Sequence, residues 1–130
     1  MRLDLECIRD ILLVVEAHSG YKKFVYFPDS FSDDILQRYG ADTIRYHIDQ
    51  CILSSLIIPF NEGGQWDVLG RTQIRDLSPL GHEFIANTRK DSTWGKVKKC
   101  AAQIGSTSIS AAIQIASELV SESIKNGIQL

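Results

Sequence analysis

A chain of 130 residues, 44% of them apolar, with a net charge of −2, has the length of one domain and enough apolar surface to build a core without staples. That composition excludes intrinsic disorder, and the longest uninterrupted apolar run, Ile11 to Val15, is far too short to span a bilayer. Asp4, Glu6, Arg9 and Asp10 break the apolar positions of residues 1–17, so no signal peptide is read there and a cytoplasmic, membrane-free protein is expected.

Residues 4–18 place Leu5, Ile8, Ile11, Leu12 and Val15 on one helical face, with Asp4 as N-cap and Gly20 as stop. KFVYF at 23–27 reads as a strand ending at Pro28. Ser30 or Ser32 then caps a short helix through DDILQRY, closed by Gly40. A helix from Asp42 to Ser55 follows, with Ile44, Ile48, Cys51, Ile52 and Leu56 on its apolar side. LIIPF at 56–60 is extended, NEGG at 61–64 turns the chain, and QWDVLGRTQIRDL returns it as the second arm of a hairpin.

Ser78-Pro79 is a helix start, because the serine hydroxyl accepts from an orphan N–H and proline suits the first helical position. Its helix is expected to end near Arg89, with Gly81, Phe84, Ile85 and Thr88 facing inward. Asp91 or Ser92 opens the next, in which Trp94, Val97, Ala101 and Ile104 form a stripe and Gly105 the stop. The last helix spans Ser108 to Lys125, with Ile109, Ala112, Ile113, Ala116, Val120 and Ile124 on one face. Ile115 and Leu119 lie off that face, more apolar surface than a small domain needs, which predicts a homodimer through this C-terminal helix.

The resulting fold class is α+β and mostly helical. Residues 1–90 are expected to form a winged helix-turn-helix core with a β-hairpin wing, and residues 91–130 two additional C-terminal helices. The extension packs on the core or forms the dimer interface, within a single globular unit.

Charge is uneven along the chain. Residues 1–50 carry six bases and nine acids, residues 51–100 seven bases and five acids. The basic excess sits in Arg89, Lys90, Lys96, Lys98 and Lys99, a cluster that reads first as a solvated helix face and second as a contact for phosphate or an acidic partner. The helix 42–55 occupies the recognition position, and its outward candidates for double-stranded DNA are Thr43, Arg45, Tyr46 and Gln50. Asp42 and Asp49 share that surface and oppose phosphate.

Catalytic signals are sparse. His82-Glu83 suggests acid–base chemistry, but the neighbouring inward positions make a histidine tying its helix to the wing the better reading. His47 and Cys51 have metal-ligand spacing on one helix face, yet two ligands make no site, and both fit the core edge. Cys7, Cys51 and Cys100 form no C-x-x-C pair and read as reduced, buried thiols. Nucleotide and nucleophile-elbow motifs are missing, so no enzyme, cofactor or metal is expected.

The segments LDLECIRDILLVVE, IRYHIDQCILSSLI and LSPLGHEFIANTRKDSTWGKVK together resemble domain-of-unknown-function family 2513, found in bacterial chromosomes and phages. Its most specific piece is Leu77, Ser78, Gly81, His82, Glu83, Phe84 and Ile85, followed by Thr93, Trp94, Lys96 and Lys98. The resemblance implies a winged-helix-like fold and brings no activity with it. The winged-helix frame makes a DNA-binding regulator or accessory factor the first expectation, and the acidic N-terminal half makes a protein-protein interaction module that keeps the frame without binding DNA the second. The wing departs from the usual pattern: NEGGQWDVLGRTQ is long and mixes acids with bases.

Overall fold

Asp4 starts the first helix. Its carboxylate accepts from the Glu6 N–H at 2.9 Å, and α1 runs Leu5–His18 with Cys7, Ile8, Ile11, Leu12, Val14 and Val15 all buried. The computed structural model describes residues 1–61 and 66–127. The chain divides into two compact units, Met1–His82 and Glu83–Leu130.

In the first unit, α1 packs on α2 (Ala41–Leu53) and on β3 (Thr72–Leu77). Ile44, Ile48 and Cys51 are the buried side of α2, at the spacing of one helical face. Strands β1 (Val25–Phe27) and β2 (Ile57–Pro59) flank β3 in an antiparallel sheet of order β1-β3-β2. Val25 pairs with Ile74, and Phe27 with Thr72; all four are buried, so this register turns one sheet face to the core. On the other side Ile58 pairs with Asp76 and Pro59 with Ile74, which leaves Arg75 as the extra residue of a bulge.

One expected helix does not form. Asp29–Ser32 is a short 3-10 turn, and residues 33–39 continue as successive turns rather than as an α-helix. The Asp33 carboxylate does accept the Ile35 N–H at 2.9 Å, as the Asp4 cap does for Glu6 in α1, and the Gln37 N–H reaches Asp33 O at 3.0 Å. The pattern stops there: the Tyr39 N–H turns back to Leu36 O at 3.0 Å, a tighter turn. The turns still bury Leu36 completely. The NEGG turn, beyond Asn61, lies outside the described residues.

The joint between hairpin and following helix is tight. Ser55, at φ 58°, ends α2, and its carbonyl accepts from the Ser78 hydroxyl at 2.5 Å. The Ser78 N–H donates to Leu56 O at 3.0 Å, and the same serine oxygen accepts from the Gly81 N–H at 3.0 Å, capping α3 (Pro79–Thr88).

The second unit holds the rest of α3, then α4 (Asp91–Gln103) and α5 (Ile109–Lys125), which pack together. Phe84 and Trp94 meet edge to face at 6.0 Å, and Val97, Ala101, Ile109, Ala112 and Ala116 are buried beside them in sequence pattern. Two expected stripe members are not buried. Ile104 sits beyond the last turn of α4 and is 65% exposed, and Ile124, in the final turns of α5, is 70% exposed. Among the described residues are five α-helices and one three-stranded antiparallel sheet, an α+β fold that is mostly helical.

Candidate interaction surfaces

The outward face of α2 is the first surface to examine, because it carries the residues singled out for DNA. Thr43, Arg45, Tyr46 and Gln50 are all half-buried. Arg45 lies over two rings: its guanidinium is 5.2 Å from the Phe31 ring centre and 5.5 Å from that of Trp66, and its Nη1 is 4.0 Å from Asp42 Oδ1. Gly70 gives this stack its room, since a Cβ there would meet Arg45 Nη2 at 3.4 Å. The Trp66 indole N–H donates to Asp49 Oδ1 at 2.9 Å, so the same aromatic residue engages both a cation and an acid of α2. Sequence reading left Phe31 and Trp66 out. Periodicity places residues on their own element, and both rings arrive from other segments.

Beside Thr43, Tyr46 and Gln50, that face also carries acidic and apolar residues. Asp42 is exposed, and Leu53 is 77% exposed. Tyr46 stands edge-on to His47 at 5.1 Å. A base-reading surface needs donors free to meet base edges and cations to meet phosphate. Here the one arginine lies over two rings.

His47 proves to be a structural residue. It is fully buried, its Nδ1–H donates to Thr43 O at 2.7 Å, and its Nε2 accepts from the Asp4 N–H at 2.8 Å. The Nδ1 bond stays within α2 and fixes the ring, while Nε2 ties α2 to the start of α1. Asp10, unmarked by any motif, plays a similar part. It is buried, and its Oδ2 accepts from Arg38 Nη2 at 2.5 Å and from the Tyr39 hydroxyl at 2.7 Å, fastening the turn segment to α1. Burial, and then the bond to Asp10, pushes the Tyr39 phenol well above its usual range.

The thiols carry no reactive signature. Burial pushes Cys7 up to about 12 and moves Cys51 higher in the same direction. Cys100 is only half-buried, a correction to the expectation of three buried thiols. Among the described residues no group of three His, Cys, Asp or Glu side chains is placed to hold a metal ion. His82 and Asp76 approach at 3.3 Å, and Ser19 Oγ donates to the same Asp76 oxygen at 3.4 Å, so His82 ties the start of α3 to β3. Glu83 is exposed.

A second surface is the outer face of the sheet. Tyr26 alternates with buried Val25 and Phe27, and is 50% exposed. The Phe60 N–H donates to Gln73 O at 2.9 Å, which brings Phe60, 51% exposed, level with the Tyr26–Gln73 pair. Phe24 and Phe60 rest against each other at 5.2 Å. Ile58 is exposed as well, and Lys22, Lys23 and Arg75 stand exposed nearby in sequence. The aromatic character of 23–27 was legible. That half of it faces solvent was not.

In the second unit, Arg89, Lys90, Lys96, Lys98 and Lys99 are all exposed. Lys98 lies 5.7 Å from the Trp94 ring. Arg89, Lys90 and Lys96 also line a cavity of about 280 Å³ together with residues of α3 and α5.

Residues 2–108 match the family described as "Hypothetical protein (DUF2513)". The chain belongs to that family. The DUF2513 match takes in α1 through α4 and stops at Ser108, the N-cap of α5, whose hydroxyl accepts from the Ala111 N–H at 3.0 Å. No curated protein and no solved structure matches the chain. Among the described residues no helix is long and apolar enough to cross a membrane.

Proposed function

We propose that this DUF2513 protein is a non-enzymatic interaction module on a winged-helix frame, which docks a protein partner and does not read duplex DNA with α2. The element order and the β1-β3-β2 sheet order support the frame. The observation that carries the functional reading is Arg45 lying over the Phe31 and Trp66 rings. With Asp49 bonded to Trp66 and Asp42 exposed, α2 offers little to phosphate or base edges. The docking surface is the outer sheet face, where Phe24, Tyr26, Ile58 and Phe60 form a rimmed apolar patch of the kind that marks protein contacts.

A salt-titrated gel shift on mixed genomic duplex fragments tests the first half: no shift at low salt is expected. A shift that weakens steeply with salt, and is lost on Arg45→Glu, would restore DNA regulation as the function. Affinity capture with wild-type protein beside Tyr26→Ala/Phe60→Ala tests the second half, with the partner retained by the wild type alone.

Self-association through α5 is a second reading. Only Ile109, Ala112 and Ala116 of that helix are buried, and Ile113, Ile115, Leu119 and Val120 stay half-exposed. It predicts a mass that rises with concentration in sedimentation and falls back when residues 106–130 are deleted.

A further inference from the structure

The second unit segregates its charge. Lys90, the N-cap of α4, and Thr93 and Lys96 within it recur every third residue, and all three line the cavity of about 280 Å³. Arg89 joins them from the chain just before α4. From α5 come Leu119, Val120 and the polar Ser123, and from α3 Ala86 and Asn87, so the other elements add a mainly aliphatic but mixed lining. The carboxylates of α5 lie elsewhere: Glu118 and Glu122 line a separate groove with Cys100 and Ile104. Among the described residues no carboxylate lines the basic cavity.

We propose that this cavity binds a small amphiphilic anion, an aliphatic body a few carbons long that ends in a carboxylate or phosphate. Its size sits just below the roughly 300–1,000 Å³ of drug-sized ligand pockets, which suits a short tail. The cations supply charge-assisted bonds to the head group, with Thr93 as a further polar neighbour. Leu119 and Val120 give the tail a surface to cover, which a bare inorganic anion would leave wet. The inference is independent of the docking role of the first unit, since none of its residues belongs to the sheet or to α2.

The test is a methyl and amide NMR titration of the full chain with sodium hexanoate and, separately, hexyl phosphate. Saturable shifts at Leu119 and Val120 are expected from one or both, and the stronger of the two identifies the head group. Acetate, which has no tail, and hexylammonium, which has no anion, are expected to give none. Lys96→Glu and Lys90→Glu change exposed side chains, leave the ligand-free spectrum folded, and are each expected to weaken binding roughly tenfold. Equal binding of hexylammonium would reduce the cavity to a greasy surface, and equal binding of acetate to a diffuse charge effect. Either result overturns the proposal, as does the absence of saturable shifts with both hexyl compounds.

Discussion

Gly81 lies directly against the carbonyl of Leu56: a Cβ added there would stand 2.1 Å from that oxygen. The neighbouring bonds from Ser78 to Ser55 and Leu56 hold the two backbones at this distance, so neither can retreat cheaply. Gly81→Ala is therefore expected to cost about 3 kcal/mol or more, the upper range for overpacking a tight site. Gly95, inside α4 with nothing within 4 Å of its added Cβ, is the control, and Gly95→Ala is expected to stabilise by about 0.5–1 kcal/mol. Urea midpoints of the two variants against wild type decide both.

Asp10 gives a second expectation. Its carboxylate is buried and is shared by the Tyr39 hydroxyl and the largely exposed Arg38. Tyr39→Phe removes a bond to a charged, buried acceptor and should cost about 1.5–3 kcal/mol. Arg38→Ala should cost less than its short distance suggests, because solvent screens its guanidinium. A larger loss for Arg38→Ala than for Tyr39→Phe would refute this ranking.

The Arg45 stack should be measurable without any partner. Arg45→Ala removes two cation–π contacts and is expected to cost about 1 kcal/mol in urea unfolding. It also frees one face of Trp66, so indole emission should shift to longer wavelength. Unchanged emission would mean that Arg45 does not cover the ring in solution.

The His18–Asp33 bond at 2.7 Å sets an acid dependence. The hydrogen bond from His18, and then the Ile35 N–H, hold the Asp33 carboxyl below its ordinary value of 3.8. A depressed carboxyl contributes stability that is fully present above the unfolded value and is lost as pH falls through the lower folded one. Urea midpoints taken downward from pH 5 should therefore fall less steeply for Asp33→Asn than for wild type. Parallel slopes would exclude Asp33 as a contributor.

Local chemistry was legible residue by residue. Asp4, Ser78-Pro79 and Ser108 were readable as helix starts because a cap needs only its own side chain and the next few N–H groups. The buried faces of α1 and α2 followed from period, and the LSPLG joint from a serine cap with a small residue three positions on. The segment 33–39 differs because a helix this short makes too few i+4 bonds to offset its nucleation, and after one such bond, Gln37 N–H to Asp33 O, the chain goes on in tighter turns.

By itself, the sequence determined the α+β class, the five α-helices and the family, since each depends on local patterning along the chain. Only the tertiary structure decided what each outward face can do. Period places Arg45 on the outward side of α2 but does not bring the Phe31 and Trp66 rings to it, and the extended readings of KFVYF and LIIPF do not say that Tyr26 and Phe60 are half exposed. Those outcomes rest on contacts between residues far apart in the chain, which no period or cap signal encodes. The basic run of 89–99 changed for the same reason: three of its cations gain a mainly aliphatic but mixed lining only when α5 packs on α4.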